Sequence, residues 1–448
     1  MTDQSSASPA LSKHTQAVAA SLADVTRAFA RVGVLSFGGP AAQIALMHKV
    51  VVDDKKWLPE DRFLHALNYC MLLPGPEAMQ LATYIGWLLR GVRGGLLAGA
   101  LFVLPGFFVL LGLATLYVTL GDVPAVEGLL FGLQAAVLAL VLQALIKLSA
   151  KTLTSSLAAA LALAAFVALY VFDVPFPLVI LVAAGLGVAV WGRGDSEAPR
   201  AEETTTPPVD KAGSLRAALI CAALWLAPVA ILVAVVGLSS LWTQQALFFS
   251  WTAIITFGGA YAVLAYITQV VVQDFAWLST TEMVTGLGLA EPTPGPLILV
   301  LVFVGYVAAA QAELGLDPVL AGLLGGTLTV WVTFMPCFVW IFLGAPFVER
   351  TREIVWLKNA LRGVTAAVVG VIASLAVWFA LQVLFGEVGR LTIGLASLPV
   401  PTFSSINLAA VALAALGGVL LFALRAGLLT TLSICALAGI IARLMGVA

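Results

Sequence analysis

The chain has 448 residues, of which 61% are apolar and 10% charged, with a mean hydropathy of +1.07. Soluble domains carry about 25% charged residues, so this composition supplies no polar coat for a water-facing fold, and the chain reads as an integral membrane protein. The balance of 22 basic against 23 acidic residues, net charge −1, gives no overall attraction to a polyanion such as nucleic acid.

Residues 1–25 form a polar N-terminal tail without the basic-then-apolar order of a cleavable signal. A helix needs ~20 apolar residues to cross a bilayer. Stretches of that kind fall at 26–50, 63–89, 95–118, 124–146, 153–172, 176–192, 215–238, 244–272, 282–309, 318–347, 360–385, 402–424 and 427–446. They predict an all-α polytopic fold of about 13 transmembrane helices. Residues 26–192 form a first transmembrane repeat, 193–213 a hydrophilic Pro- and Thr-rich cytoplasmic linker, 214–238 a helix between repeats, and 239–448 a second repeat.

Lys and Arg favour the cytoplasmic ends of spans. A cytoplasmic N-terminus leaves the outer connections 119–123, 173–175, 239–243 and 310–317 without a base and puts the C-terminus on the periplasmic side. Two connections disagree: Lys55, Lys56 and Arg62 fall outside, and 273–281 falls inside with no base. Cys70, Cys221, Cys337 and Cys435 stand singly in apolar stretches, as small core residues do, so neither a metal site nor a disulfide is expected.

Laid on itself, the chain repeats. Phe37-Gly38-Gly39 returns as Phe257-Gly258-Gly259, Trp57-Leu58 as Trp277-Leu278 and Pro74-Gly75-Pro76 as Pro294-Gly295-Pro296, always 220 residues on, with 17 identities between 29–81 and 249–301. Further along, Pro105 matches Pro336 at an offset of 231. Six spans in the first copy plus one between copies make the second start on the opposite face. The repeats are therefore inverted in topology, the plan of many secondary transporters with a site near the bilayer midplane.

Helix-breaking sequence inside a membrane belongs where protein or water replaces the lost backbone bonds. Pro76 and Pro296 suit the first position of a new half-helix, and Gly75 and Gly295 permit the turn before it. Each new N-terminus brings partial positive charge and free N–H groups, which cradle an anion. The residues Gly38, Gly39, Pro74, Gly75, Pro76, Gly258, Gly259, Pro294, Gly295 and Pro296 are accordingly the expected binding set. Arg31, about two turns before Gly38, either adds fixed positive charge or snorkels to the boundary beside Arg27. Glu77 and Glu291 flank the two breaks and either carry a coupled proton or, for Glu77, cap the half-helix dipole. Gln43, Asn68, Gln80, Thr83 and Thr256 either line a cavity or bond between helices. No Walker loop, HExxH, GxSxG or CxxC pair is present, so the reading is a transporter rather than an enzyme.

The stretches SFGGPAAQIALMHK and WLPEDRFLHALNYCMLLPGPEAMQLATYIGWLLRGVRGGLLAGALFVLPG, with TFGGAYAVLAYI and WLSTTEMVTGLGLAEPTPGPLILVLVFVGY in the second half, resemble the chromate ion transporters in their long two-repeat form. Glu291-Pro292 departs from the Glu-Thr of that pattern. The resemblance implies a bacterial inner-membrane protein that expels chromate, a tetrahedral oxo-dianion, by alternating access driven by a gradient. A sulfate or general oxyanion carrier is the alternative within the class, and an intramembrane lipid-phosphate hydrolase the alternative outside it. Expected partners are a small inorganic oxyanion (chromate or sulfate), the lipid bilayer, and a coupling proton or counter-anion. A homodimer stays open, and no cofactor, metal or nucleic acid is expected.

Overall fold

The computed structural model describes residues 20–191, 211–257, 260–347, 355–394 and 396–446. Helix α1, Leu22–Leu35, opens on a capping box in which the Ser21 hydroxyl accepts the Asp24 N–H and the Asp24 carboxylate accepts from Ser21. Its 14 residues reach ~21 Å, short of the ~30 Å hydrocarbon core. The chain breaks at Ser36 to Gly38, and α2, Gly39–His48, runs on into a π-helical turn, Lys49–Asp54. Helix α3, Glu60–Cys70, is shorter still at 11 residues. After the Pro-Gly-Pro break, α4, Glu77–Leu120, consists of two limbs, because Arg90 and Gly91 leave helical geometry (φ −144° and +60°).

These short pieces fold back on themselves. The rings of Tyr69 and Tyr84 lie 5.2 Å apart, whereas a straight helix would separate them by ~22 Å. Residues 60–89 are therefore a re-entrant helical hairpin with Pro74-Gly75-Pro76 at its tip. At its base Gly86 packs so closely on the Gly94 backbone that neither has room for a Cβ, which returns the chain into the long limb 92–120. Helices α1 and α2 likewise form a V, since Asp24 lies within Coulombic reach of Lys55.

The second repeat follows the same course. It comprises α9, Leu241–Ile255; α10, Ala260–Gln269, with a π-helical turn Val270–Asp274; α11, Thr280–Ala290; a 3-10 turn Leu297–Leu299; α12, Val300–Gln311; and α13, Pro318–Gly344. Gly286 abuts the Phe303 ring, so this hairpin also reverses at its Pro-Gly-Pro. Phe248 and Phe275 meet edge to face at 5.4 Å, which closes the V of α9 and α10. The likeness extends to single bonds: Trp57 N–H donates to Val51 at 2.8 Å, and Trp277 N–H to Val271 at 2.9 Å.

Sidedness follows. The Arg90 guanidinium bonds the Ala20 carbonyl, the Trp87 indole donates to Ser214 at 3.0 Å, and His48 bonds Glu60 at 2.5 Å. The open ends of both first-repeat hairpins thus share a face with residue 20 and the start of α8, Lys211–Val236. Gln311 bonds Glu282, so the second Pro-Gly-Pro hairpin closes at its own open end. Both disagreements in the charge pattern come from threading the hairpins straight through the bilayer. With the chain folded back, Lys55, Lys56 and Arg62 stay on the side of residue 20, and 273–281 stays on the side where α9 begins.

After the hairpins each repeat adds one long helix and a terminal pair: α5, Pro124–Thr152, with α6, Ser156–Tyr170, and α7, Phe176–Trp191; then α14, Val355–Leu384, with α15, Leu408–Gly418, and α16, Leu428–Leu444. The terminal pairs are exchanged. Gly363 and Gly370 of α14 press on the backbones of Ala183 and Ala162, while Gly128 and Gly132 of α5 press on Gly439 and Cys435. In a bilayer, where lipid is as apolar as leucine, such close small-residue contacts hold helices together. Among the described residues, five helices are individually long and apolar enough to cross: Glu77–Leu120, Pro124–Thr152, Lys211–Val236, Pro318–Gly344 and Lys358–Leu384.

One element departs from the helical plan. Residues Val388–Ile393 (β1) and Ala396–Pro401 (β2) pair antiparallel, Val388 opposite Pro401, where the sequence reads as a connection between spans. Pro399 and Pro401 lack an N–H and suit this edge strand.

Candidate anion site

The four breaks meet in two pairs. Ser36 and Thr256 end α1 and α9, and each turns its hydroxyl back onto its own helix, to Val32 O and Thr252 O, both at 2.5 Å. Both helices end there, so the main-chain carbonyls of Ser36 and Thr256 have no intrahelical donor and are free for others. Gly75 N–H donates to Thr256 O at 2.8 Å, and Gly295 N–H donates to Ser36 O at 2.9 Å. Each Pro-Gly-Pro tip is therefore bonded to the first break of the other repeat, in a reciprocal pair related by the same offset of 220.

Glycine is required at both tips. Gly75 sits at φ +124° and Gly295 at φ +93°, conformations that side chains rarely adopt. A Cβ at 75 would lie 2.8 Å from Gln80 Nε2 and 3.0 Å from Cys337 Sγ, and one at 295 would lie 2.9 Å from Leu299 Cδ1. Cys337 follows Pro336 in α13, and Gly106, against which Pro294 packs, follows Pro105 in α4. Each tip thus also rests on the proline-kinked crossing helix of the opposite repeat.

Two buried glutamines brace the first-repeat elements. Gln43 donates its amide to Gly295 O at 2.6 Å and to Ser36 O at 3.4 Å; Gln80 donates to Pro74 O at 2.6 Å. The Oε1 of each is buried with no partner among the described residues. These positions were read from sequence only as cavity lining or interhelical bonding, and Ser36 was not singled out. The signal that finds it is the paired hydroxyl, Ser36 and Thr256, at the repeat offset.

Beyond the tips two helix N-termini begin. Pro76 and Pro296 are the N-caps of Glu77–Leu120 and Leu297–Leu299, and neither start has a side-chain cap. The first N–H groups of a helix lack intrahelical acceptors and carry its partial positive charge, so each start is suited to an anion. The partners of the two PGP tips differ in charge: Glu77 begins the outgoing limb of the first hairpin, half-buried, while Glu291 ends the incoming limb of the second and is 8% exposed. Leu297 stands where repeat symmetry would place the equivalent of Glu77.

Of the remaining expected residues, Gly38 and Gly39 form the α1–α2 break at φ +86° and +78°. Gly258 and Gly259 lie outside the described residues. Arg31 lies on the exposed face of α1, one turn from Arg27 and opposite the buried Val25, Phe29 and Val32, so its side chain is not brought to the tips. Among the described residues no cluster of three or more His, Cys, Asp or Glu could hold a metal.

The family model for chromate transporters matches residues 23–188 and 243–440, one match for each repeat. A chromate transport protein of Pseudomonas aeruginosa is 31% identical over 370 residues, 82% of this chain and 83% of its own length. A chromate transport protein of Cupriavidus metallidurans is 28% identical over 77% of this chain and 79% of its own length. A probable chromate transport protein of Synechococcus elongatus is 27% identical over 80% of this chain and 84% of its own. No solved structure matches the chain. With both repeats matched and the similarity running through most of its length, this chain belongs to the chromate transporter family.

Proposed function

We propose that the protein is a secondary transporter that exports chromate across the bacterial inner membrane by alternating access, binding the dianion where the two Pro-Gly-Pro tips meet the opposite breaks. The observation that carries this reading is the reciprocal bond pair, Gly75 to Thr256 and Gly295 to Ser36. It joins hairpins entering from opposite faces, so that one anion can interact with half-helix starts belonging to both repeats. Rocking one repeat against the other would exchange those bonds and open the site to each face in turn. The Phe37-Gly38-Gly39 break, open around Gly39, gives room for that movement.

Charge supports the orientation. Lys55, Lys56, Arg62, Arg90, Arg93 and Lys211 gather on the face of residue 20, which the preference of bases for the cytoplasm makes the inner face. The C-terminal helix then ends outside, where Arg443 bonds Glu127. Glu77, beside the first half-helix start, is our candidate for the coupled proton. Chromate against sulfate is a choice between anions of one shape, and the donors at the tips are suited to either.

The test is accumulation of labelled chromate in everted membrane vesicles, with and without an imposed proton gradient, under excess sulfate. Gradient-dependent accumulation that sulfate barely reduces is the expected result. Competition by sulfate would make the protein a broader oxyanion carrier, and no accumulation in sealed vesicles would overturn transport itself.

A further inference from the structure

Away from the tips, the chain forms a half-open cavity of 390 Å³ that belongs to no part of the site described above. It lies between the α6–α7 connection, the outer part of α10 with its π-helical turn, the last turns of α14 and the β-hairpin. Both repeats contribute to it. Along α10 the lining runs from Ala265 to Gln273, ~12 Å of helix. Its inner end is five residues from the start of α10, the helix that follows the Thr256 break. The cavity thus lies along the helix that leads away from the Thr256 break.

Its lining is rich in neutral groups able to donate hydrogen bonds: Thr268, Gln273, Thr280, Ser374, Gln382 and Ser397. Thr268 is 4% exposed, and its hydroxyl has no partner among the described residues. The lining holds one base, Arg390 on β1, and one acid, Asp173. These two form an ion pair at 3.6 Å with side chains 52% and 38% exposed, a long, solvated pair of a kind that contributes little and is readily exchanged for another anion. The β-hairpin is held in place independently, by Ser397 N–H donating to Val171 O at 2.7 Å.

We propose that this cavity is an outer vestibule that holds a tetrahedral oxyanion between the outer solution and the hairpin tips, with Arg390 exchanging Asp173 for the anion. The proposal rests on the reading of the protein as an oxyanion carrier. It assigns the otherwise unexplained β-hairpin a role, that of delivering one cation to a site otherwise lined by neutral donors.

The experiment is equilibrium dialysis of the purified full-length protein against labelled chromate, paired with transport from the outer face. The wild type is expected to bind a second, weaker anion that Arg390→Gln lacks. That variant should raise the half-saturating concentration from the outer face about tenfold, the effect of losing one charge-assisted hydrogen bond, at an unchanged maximal rate. Arg390→Lys should restore most of the affinity, and Asp173→Asn, which frees Arg390, should lower the half-saturating concentration. Should Arg390→Gln fold poorly, Thr268→Val removes the unpartnered hydroxyl at nearly constant volume and is expected to weaken the same second phase. Unchanged binding and half-saturation in Arg390→Gln and Thr268→Val would overturn the vestibule while leaving the central site intact. Absence of any anion binding by the wild type would overturn the carrier reading and the vestibule together.

Discussion

The amide of Gly75 donates to the carbonyl of Thr256 at 2.8 Å across the boundary between the two repeats, and the amide of Gly295 returns the same bond to Ser36. Because donors and acceptors both sit at helix breaks, the four segments hold one another with main-chain groups that those breaks had left unpaired. The junction has two equivalent halves, as the proposed exchange of bonds between the repeats requires.

Re-entrant folding makes a labelling prediction. With the four native cysteines buried, Lys55→Cys in intact cells should resist a membrane-impermeant thiol reagent and Gln273→Cys should react; everted vesicles should show the reverse. Straight threading of 26–50 and of 244–272 through the bilayer predicts the opposite pattern for both positions.

Removing the glutamine braces should loosen the tips. Gln43→Leu and Gln80→Leu each delete a 2.6 Å bond to a tip carbonyl, and each is expected to cost about 1 kcal/mol, since loss of the bond is partly offset by removal of an unpaired buried Oε1. Thermal unfolding in detergent should show a fall in Tm for both. An unchanged Tm would remove the bracing role.

Glu77→Gln tests the coupled proton. The variant is expected to retain exchange of labelled for unlabelled chromate while losing accumulation against a gradient and the pH dependence of the rate. A retained pH profile would return Glu77 to the role of a charge at the start of a helix.

At the start of α5, Arg443 grips Glu127 through two bonds, Nε at 2.9 Å and Nη2 at 2.5 Å, and ties the exchanged α16 to α5. Their side chains are 36% and 47% exposed, so Glu127→Gln should cost under about 1 kcal/mol, and less at high salt. A larger loss of Tm would mean that this contact, rather than the glycine packing of Gly128 and Gly132, holds the pair.

Much of this arrangement was legible in the residues. The offset of 220 announced the two repeats, and Pro-Gly-Pro marked where helices end inside the membrane. The reversal at those points was not legible, because an apolar stretch of 25 residues has the same composition whether it crosses once or enters and returns. What distinguishes the cases is contact between Tyr69 and Tyr84, or Gly286 and Phe303, which no periodicity encodes. The misplaced bases Lys55, Lys56 and Arg62, and the base-free connection 273–281, were the available signals. The β-hairpin escaped notice because Val388–Ile393 alternates over only its last four residues and β2 contains two prolines, which argue against a strand except at an edge. Ser36 was overlooked because a lone serine at a helix end is ordinary until its partner at 256 is placed beside Gly75.

The central claim, that the opposed tips bind the transported anion, is tested most directly by chromate accumulation in everted vesicles carrying Gly75→Leu or Gly295→Leu at matched protein levels. A side chain at either position meets both a backbone conformation that disfavours it and neighbours within 3.0 Å. The account predicts gradient-dependent accumulation in the wild type and none in either variant, with both variants still inserted in the membrane. Accumulation by both variants at the wild-type rate would contradict it.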